Sequence, residues 1–348
     1  MKLILTGPIY LPAFHTRTDE HGVSYAVLSG MQIYMKISSV SFDLFSSVMG
    51  ITGLGLAWRI ASVTYAIPAW PGETLIATGL LTFFILILCQ LLRLVRWHSP
   101  LRDEWRSRSR RNFFCAATIS GFLLSSGVMP YSLKAACLLW IAAMCAQLFF
   151  LVCTFRRWVI DELEVHEISP VWLIPMVGNA SPSFAGLALG FPGISKMMLF
   201  SAILCWALFM PLILWRIVFV RPSTPFTAMP GLAIMVSAPA VISVALTTLY
   251  GGMTEAALFM AWTALFFAII LLSLWRRMVP PFTRGWWGFT FPSTALASAL
   301  IRVDSAQPSF LNHLLALGAI TFASFIVCFV TITAVVRLFS GPVNRRLA

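Results

Sequence analysis

Long apolar blocks, separated by short polar connections, run along most of the chain. Each block approaches the roughly 20 residues that an α-helix needs to cross the hydrocarbon core of a bilayer. Such a pattern is typical of transmembrane helices. We predict ten spans, at about residues 40–59, 73–92, 112–130, 133–154, 171–190, 195–215, 228–249, 254–275, 285–302 and 309–338. The predicted fold class is therefore all-α integral membrane.

The composition agrees with this pattern and leaves little room for an aqueous domain. Apolar residues make up 59% of the 348 residues and charged residues 10%, against roughly 45–50% and about 25% in soluble domains. We predict a cytoplasmic N-terminal segment over residues 1–37, one ten-helix domain over 38–338 and a cytoplasmic C-terminal tail over 339–348.

The basic residues predict the orientation of the spans, because cytoplasmic connections retain Lys and Arg. With a cytoplasmic N-terminus, all but four of the 24 Lys and Arg residues fall on the inner side, and both termini are cytoplasmic. The basic stretch from Arg93 to Arg111 is then a topology-determining loop that meets anionic head groups, and we predict no nucleic-acid partner. The predicted location is a plasma membrane, in bacteria the inner membrane, with multiple passes.

Glycine and proline are concentrated in the odd-numbered spans, which are predicted to be kinked. Broken helices are tolerated in hydrocarbon only where protein or a water-filled cavity satisfies the freed backbone groups. We therefore predict five helical hairpins whose odd helices line a central pore and whose even helices face lipid. An alternative for any single glycine is simple helix packing. The candidate pore-lining or kink residues are Gly50, Gly53, Pro175, Gly178, Pro239 and Pro292.

The four basic residues on the predicted outer side all lie near the outer ends of odd spans; they are Arg59, Lys134, Lys196 and Arg302. If the odd helices line a conduit, these cations surround its outer mouth and concentrate anions there. Head-group anchoring is the alternative. The spans carry almost no buried carboxylate or histidine, which argues against a proton relay or a tight cation site.

We find no metal-binding, phosphate-binding or nucleophile motif, and we predict no metal, no cofactor and no enzymatic activity.

Three segments resemble the TehA and plant guard-cell slow anion channel family, within the tellurite-resistance and dicarboxylate transporter superfamily. The most specific is Trp286-Trp287-x-x-Thr290-Phe291-Pro292 in the ninth span. Residues 46–58 are similar to the first pore helix of that family and residues 229–241 to its seventh. The region around Pro175 and Gly178 is compatible with the same pattern, so the resemblance extends from about residue 40 to about 338.

The resemblance implies a passive channel for small inorganic anions such as chloride or nitrate. It also implies a homotrimer with one pore in each subunit, built from ten helices in five hairpins. A phenylalanine on the ninth helix plugs the pore in that family, and the matching residue here is Phe291. Two positions depart from the bacterial pattern, which has glycine where this chain has Ser46 and Pro292; proline does occur in the plant version.

Other functions remain open at this level. The same fold could serve as a secondary transporter or exporter of C4-dicarboxylates, sulfite or tellurite-like oxyanions, because the wider superfamily includes such carriers. A structural scaffold would not need kinked inner helices. The lack of buried carboxylates favours the channel over a proton-coupled carrier.

Overall fold

The computed structural model describes residues 40–96, 98–161, 163–220, 226–275 and 281–339. The predicted segment 1–37 and residues 340–348 of the predicted tail lie outside this part. Within the described ranges the chain is helical and contains no β-strand, as the apolar pattern predicts.

The α-helices are α1 (Phe45–Tyr65), α2 (Trp70–Arg96), α3 (His98–Arg106), α4 (Phe114–Val128), α5 (Leu133–Ile160), α6 (Leu173–Val177), α7 (Ser183–Gly186), α8 (Pro192–Phe219), α9 (Ile234–Tyr250), α10 (Glu255–Ser273), α11 (Trp287–Ala306) and α12 (Phe310–Phe339). Short 3-10 segments at Phe42–Leu44, Phe226–Ala233 and Arg284–Trp286 precede α1, α9 and α11.

In the described part of the chain, seven helices are long and apolar enough to cross a membrane. They are Phe42–Tyr65, Trp70–Arg96, Leu133–Ile160, Pro192–Phe219, Pro230–Tyr250, Glu255–Ser273 and Phe310–Arg337. The chain is therefore a multi-pass membrane protein. The other predicted spans, at 112–130, 171–190 and 285–302, correspond to the shorter α4, the broken α6–α7 region and α11, whose serines and threonines lower its hydropathy.

Burial divides the membrane helices into two groups. The groups differ in the buried share of the most apolar stretch of each helix. It is 67% for Phe42–Tyr65 and 89% for Pro230–Tyr250, whereas it is 28% for each of the other five helices. The five exposed helices present large apolar side chains outward; Leu81, Phe84 and Leu88 do so on α2. These helices therefore have the surface that a lipid environment requires.

The buried segments contact one another in a closed order. Helix α1 packs against α4 and α11, α11 packs against α9, and α9 and α4 both pack against α7. Each of α1, α4, α9 and α11 also packs against the exposed helix that follows it, and α6 and α7 pack against α8. The buried segments thus surround a common axis, with the exposed helices outside them.

Serine hydroxyls tie three of these consecutive pairs together. Ser125 on α4 donates to the carbonyl of Ala136 (2.8 Å), and Ser243 on α9 donates to that of Ala257 (2.7 Å). Ser183 on α7 donates to the backbone carbonyl of Ser195 (3.3 Å). In each pair the acceptor lies in the first turn or two of the exposed helix, so the same contact fixes the start of three exposed helices against their buried partners.

The α6–α7 region is broken rather than continuous, and α5 supplies donors to its backbone. The side-chain amide of Gln147 donates to the carbonyl of Pro175 (3.1 Å) and to Oδ1 of Asn179 (2.8 Å). The indole of Trp140 donates to the carbonyl of Pro182 (2.9 Å). Both donors are buried. Since an unsatisfied backbone group costs several kcal/mol in hydrocarbon, these two side chains allow the helix to break.

The basic stretch from Arg93 to Arg111 is less exposed than a simple head-group loop would be. Arg93 is fully buried, forms an ion pair with Glu104 on α3 (2.6 Å) and donates to Gln90 (2.7 Å) and to the carbonyl of Val40. Arg111 is buried beside Asp161. Burial lowers the pKa of Arg111, because the charged guanidinium is removed from water. Part of this basic charge therefore holds the helix ends together.

Helices α1 and α2 cross in backbone contact at a pair of glycines. A Cβ added to Gly55 would lie 2.8 Å from the carbonyl oxygen of Gly72, and a Cβ added to Gly72 would lie 2.8 Å from that of Gly55. These carbonyl oxygens are backbone atoms, so they cannot move aside as a flexible side chain can; the Cβ added to Gly55 would also lie 2.7 Å from Cγ1 of Ile76. The two helices would have to separate to admit a methyl group.

We expect Gly55→Ala to lower the free energy of unfolding by about 1–3 kcal/mol, the usual cost of overpacking. The measurement is the thermal stability of the purified protein in detergent. Gly318→Ala in α12 is the matched control, because no atom lies within 4 Å of the added Cβ. Equal melting of the two variants would contradict a tight α1–α2 crossing.

Candidate functional site

Two cavities lie at opposite ends of the buried segments. The first, here called the Ser46 cavity, has a volume of about 60 Å³ and lies near the N-terminal ends of these segments. Its lining includes Ser46 on α1, Ile174 on α6, Ser237 on α9 and Gly288 on α11. The recognised glycine-to-serine departure at Ser46 therefore lies in the wall of this cavity.

The second cavity, here the Arg302 cavity, has a volume of about 250 Å³, which is room for several water molecules. It lies at the C-terminal ends of the same segments. Its polar lining is Arg59, Ser126, Thr248, Thr294, Ser298 and Arg302. Among the described residues, the charged ones in these cavity walls are Arg59 and Arg302, both in the Arg302 cavity, and none lines the Ser46 cavity.

Phe291 lines both cavities, and so does Val241. The Phe291 side chain is half-buried and packs against two core clusters, one that includes residues of α9 and one that includes residues of α1 and α4. It therefore stands at the boundary between the two cavities. The motif resemblance singled out the same residue.

Glycines on α1 bring α11 close enough to place Phe291 at this boundary. A Cβ on Gly50 would lie 2.5 Å from the Cβ of Thr290, and a Cβ on Gly53 would lie 2.6 Å from Oγ1 of Thr294. The Cβ added to Gly53 would also lie 3.5 Å from Cδ2 of Phe291. These two glycines thus form the surface on which α11 rests beside its phenylalanine.

Proline at position 292 changes the backbone directly after Phe291. A proline within a helix has no amide hydrogen and cannot bond to the carbonyl four residues earlier, here that of Gly288. Two hydroxyls just after the proline bond to other carbonyls of the same helix: Thr294 donates to that of Phe291 (2.9 Å) and Ser293 to that of Thr290 (2.7 Å). The helix is locally weakened beside the aromatic ring.

Phe289 occupies a different environment from Phe291. It is buried and contacts the rings of Trp275 and Trp286 (centroid distances 5.8 and 5.6 Å). It lines neither the Ser46 cavity nor the Arg302 cavity. Phe291 thus lines the Ser46 and Arg302 cavities, whereas Phe289 is a buried residue beside a separate cavity of about 320 Å³ between α10, α11 and α12.

The candidate kink residues divide into two groups. Gly53, Gly178 and Pro292 line a cavity. Gly50, Pro175 and Pro239 are buried but line neither of these two cavities. Their role is local: Gly50 accommodates Thr290, the carbonyl of Pro175 accepts from Gln147, and Pro239 interrupts the bonding within α9.

The four candidate mouth cations differ in whether they line the Arg302 cavity. Lys134 and Lys196 are exposed near the starts of α5 and α8 and do not line the Arg302 cavity; the Lys196 amine lies over the ring of Tyr250 (5.8 Å). Arg59 and Arg302 do line it. The sequence placed all four near the right helix ends but could not show which of them face the axis.

Arg59 is paired. Its guanidinium forms two hydrogen bonds to the Glu73 carboxylate (2.8 and 2.6 Å) and also donates to the carbonyl of Gly127 (3.0 Å). Tyr131 donates its hydroxyl to the same carboxylate (2.7 Å), and this bond raises the pKa of Tyr131 because it stabilises the neutral phenol. Arg59 therefore joins α1, α2 and α4, and its charge is compensated.

Arg302 has no such partner among the described residues. Its Nε is buried without a hydrogen bond, and no carboxylate of the described chain forms an ion pair with it. Asp304 is buried two residues further on, but its Oδ2 accepts from Tyr65 (2.8 Å) and contacts Nδ1 of His313 (3.0 Å).

Sequence reasoning named Phe291 and Arg302 but missed Thr294 and Ser298, which complete the lining between them. Thr294, Ser298 and Arg302 follow Phe291 at helical spacing and lie on one face of α11. That spacing was visible in the sequence. The contribution of Gln147 was not, because nothing local marks it as the donor to a helix break 28 residues away. In the described residues no group of His, Cys, Asp and Glu could hold a metal ion.

Comparison with known proteins agrees with the resemblance of the motifs. The chain is 24% identical over 270 residues to the S-type anion channel SLAH2 of Arabidopsis thaliana, covering 74% of this chain and 51% of that protein. It is 20% identical over 306 residues to the S-type anion channel SLAH3 (85% and 48%) and 22% identical over 262 residues to the guard cell S-type anion channel SLAC1 (72% and 46%), both from the same plant. The chain spans about half the length of these curated relatives.

The family model described as voltage-dependent anion channel matches residues 39–338, nearly all of the described chain. This is a family of channels and not of enzymes. The match agrees with the fold, with the two cavities and with the Thr-Phe-Pro sequence at their boundary. The chain therefore belongs to the voltage-dependent anion channel family.

Proposed function

We propose that this protein is a passive channel for small inorganic anions such as chloride or nitrate, and that Phe291 is its gate. The observation that carries the proposal is the position of Phe291 between the two cavities. The conducting route would run along the axis of the buried segments. A large ring can close such a route by excluding water, and movement of the ring would open it.

The charge of the cavity walls supports anions over cations. Arginine guanidinium groups line the Arg302 cavity, and no carboxylate of the described residues lines either cavity. Cation channels generally present rings of Asp or Glu, whereas anion pores present Arg or Lys. A coupled proton carrier would also need a titratable group in the route. Both considerations favour passive anion passage.

The finer architecture belongs to the same proposal. Ten spans would form five hairpins, with the short α4, the broken α6–α7 region and α11 completing the inner ring. The Ser46 cavity would face the cytoplasm together with both termini, as the distribution of basic residues favours. A homotrimer in the plasma membrane, in bacteria the inner membrane, follows from the family resemblance.

Ion-substituted recording in planar bilayers tests the function itself. We expect purified protein under a potassium chloride gradient to give currents that reverse near the chloride equilibrium potential, whatever the proton gradient. A carrier of C4-dicarboxylates, sulfite or tellurite-like oxyanions would instead show saturable flux that follows the proton gradient. Potassium-selective currents, or proton-driven uptake without current, would refute the proposed channel.

We expect Phe291→Ala to increase anion conductance by about tenfold or more, because a minor open state is typically populated at 0.1–10%. Removal of the ring would join the two cavities and make the open state permanent. The measurement is the current per assembled channel in planar bilayers.

Phe289→Ala is the matched control, because it removes the same ring from the same helix but from the core side. We expect it to reduce stability without increasing conductance. Unchanged currents from correctly assembled Phe291→Ala, or an equal increase in both variants, would exclude Phe291 as the gate.

A further inference from the structure

The Arg302 cavity contains one cation whose charge nothing in the described chain compensates. Arg59 is paired with Glu73, and the nearest carboxylate along α11, that of Asp304, is held by Tyr65 and His313. Arg302 has a buried Nε without a hydrogen bond. The guanidinium cannot escape this position by losing its proton, because arginine stays charged in proteins.

An unpaired, partly desolvated cation is costly unless a counter-ion reaches it. The described protein provides no such group, and the cavity in front of Arg302 is large enough for an ion with several water molecules. We propose that Arg302 is the centre of a binding site for a small monovalent anion in this cavity. The inference extends the proposed function, since it places a resting anion on the route that Phe291 closes.

The rest of the cavity wall is suited to a weak site. Thr294 and Ser298 lie between Phe291 and Arg302 on the same face of α11, and Thr248 faces them from α9. Their hydroxyl hydrogens are already donated to helix carbonyls, at 2.9 Å for Thr294, 3.0 Å for Ser298 and 2.8 Å for Thr248. They add polarity but few free donors, so Arg302 supplies the principal attraction.

The geometry also separates the site from the gate. Arg302 follows Phe291 by eleven residues on a continuous helix, a rise of roughly 16 Å. An anion beside the guanidinium would therefore lie on the Arg302 cavity side of the aromatic ring, about three helical turns along α11 from the gate residue. Binding at Arg302 would not require the gate to open.

Chloride line broadening in ³⁵Cl NMR measures this site without conduction. We expect detergent-solubilised wild-type protein to broaden the chloride signal saturably, and nitrate to displace the chloride. Arg302→Gln should weaken the saturable binding by about tenfold or more, since hydrogen bonds from a charged donor are lost. Arg302→Lys, which keeps the charge, should retain binding within a few-fold.

Lys134→Gln is the matched control. It removes one positive charge, as Arg302→Gln does, but Lys134 is exposed and does not line the Arg302 cavity. We expect it to bind chloride like the wild type. Loss of binding in this control but not in Arg302→Gln would overturn the assignment, as would unchanged binding in Arg302→Gln.

Crystals of the wild-type protein soaked in bromide provide a test that needs no variant. An anomalous peak beside the Arg302 guanidinium is expected, and a bromide-soaked crystal without one would overturn the site. The two proposals can fail separately. Chloride binding without anion current from Phe291→Ala would retain the site and refute the channel, whereas currents without saturable binding would do the reverse.

Discussion

The hydrocarbon of the bilayer provides no hydrogen-bond partners, and the rest of this structure depends on that constraint. A helix may be broken or kinked there only if other parts of the protein satisfy its freed backbone groups. The broken α6–α7 region meets this condition because Gln147 and Trp140 on α5 donate to the carbonyls of Pro175 and Pro182. Long helices can tolerate lipid, and these form the exposed outer layer; α8 is among them although it contains Pro211. The division into inner and outer helices is thus a consequence of backbone chemistry.

Within the inner layer, close backbone approach determines where the proposed gate stands. Gly50 and Gly53 remove side chains from one face of α1, and Thr290 and Thr294 of α11 occupy the space. This contact fixes the rotation of α11, so that Phe291 lies between the two cavities while Phe289 remains among tryptophans. These glycines allow the helices to pack closely, which is the alternative that the sequence left open for any single glycine. Through that packing they also position the functional side chain.

Charge at the far end of the same helices is arranged unequally. Arg59 is joined to Glu73 by two hydrogen bonds and acts as a structural link between helices, whereas Arg302 lines the cavity without a partner among the described residues. Two arginines that look equivalent along the chain therefore have different chemical roles. A compensated cation stabilises the helix ends, and an uncompensated one attracts a mobile anion. The exposed Lys134 and Lys196 contribute to neither cavity.

The sequence by itself determined the helical membrane class, the approximate position of each segment and the family, because apolar length, glycine and proline content and the Thr-Phe-Pro motif are local properties. It also indicated Phe291, and the spacing of Thr294, Ser298 and Arg302 behind it was available. Only the tertiary structure decided which cations line the Arg302 cavity, that Gln147 satisfies the helix break, and that Arg59 is paired with Glu73 while no described residue pairs with Arg302. Each of these depends on contacts between residues far apart in the chain, such as Gln147 with Pro175. Hydrophobic periodicity predicts that a helix forms, but the partner of a polar side chain is decided by how the helices pack.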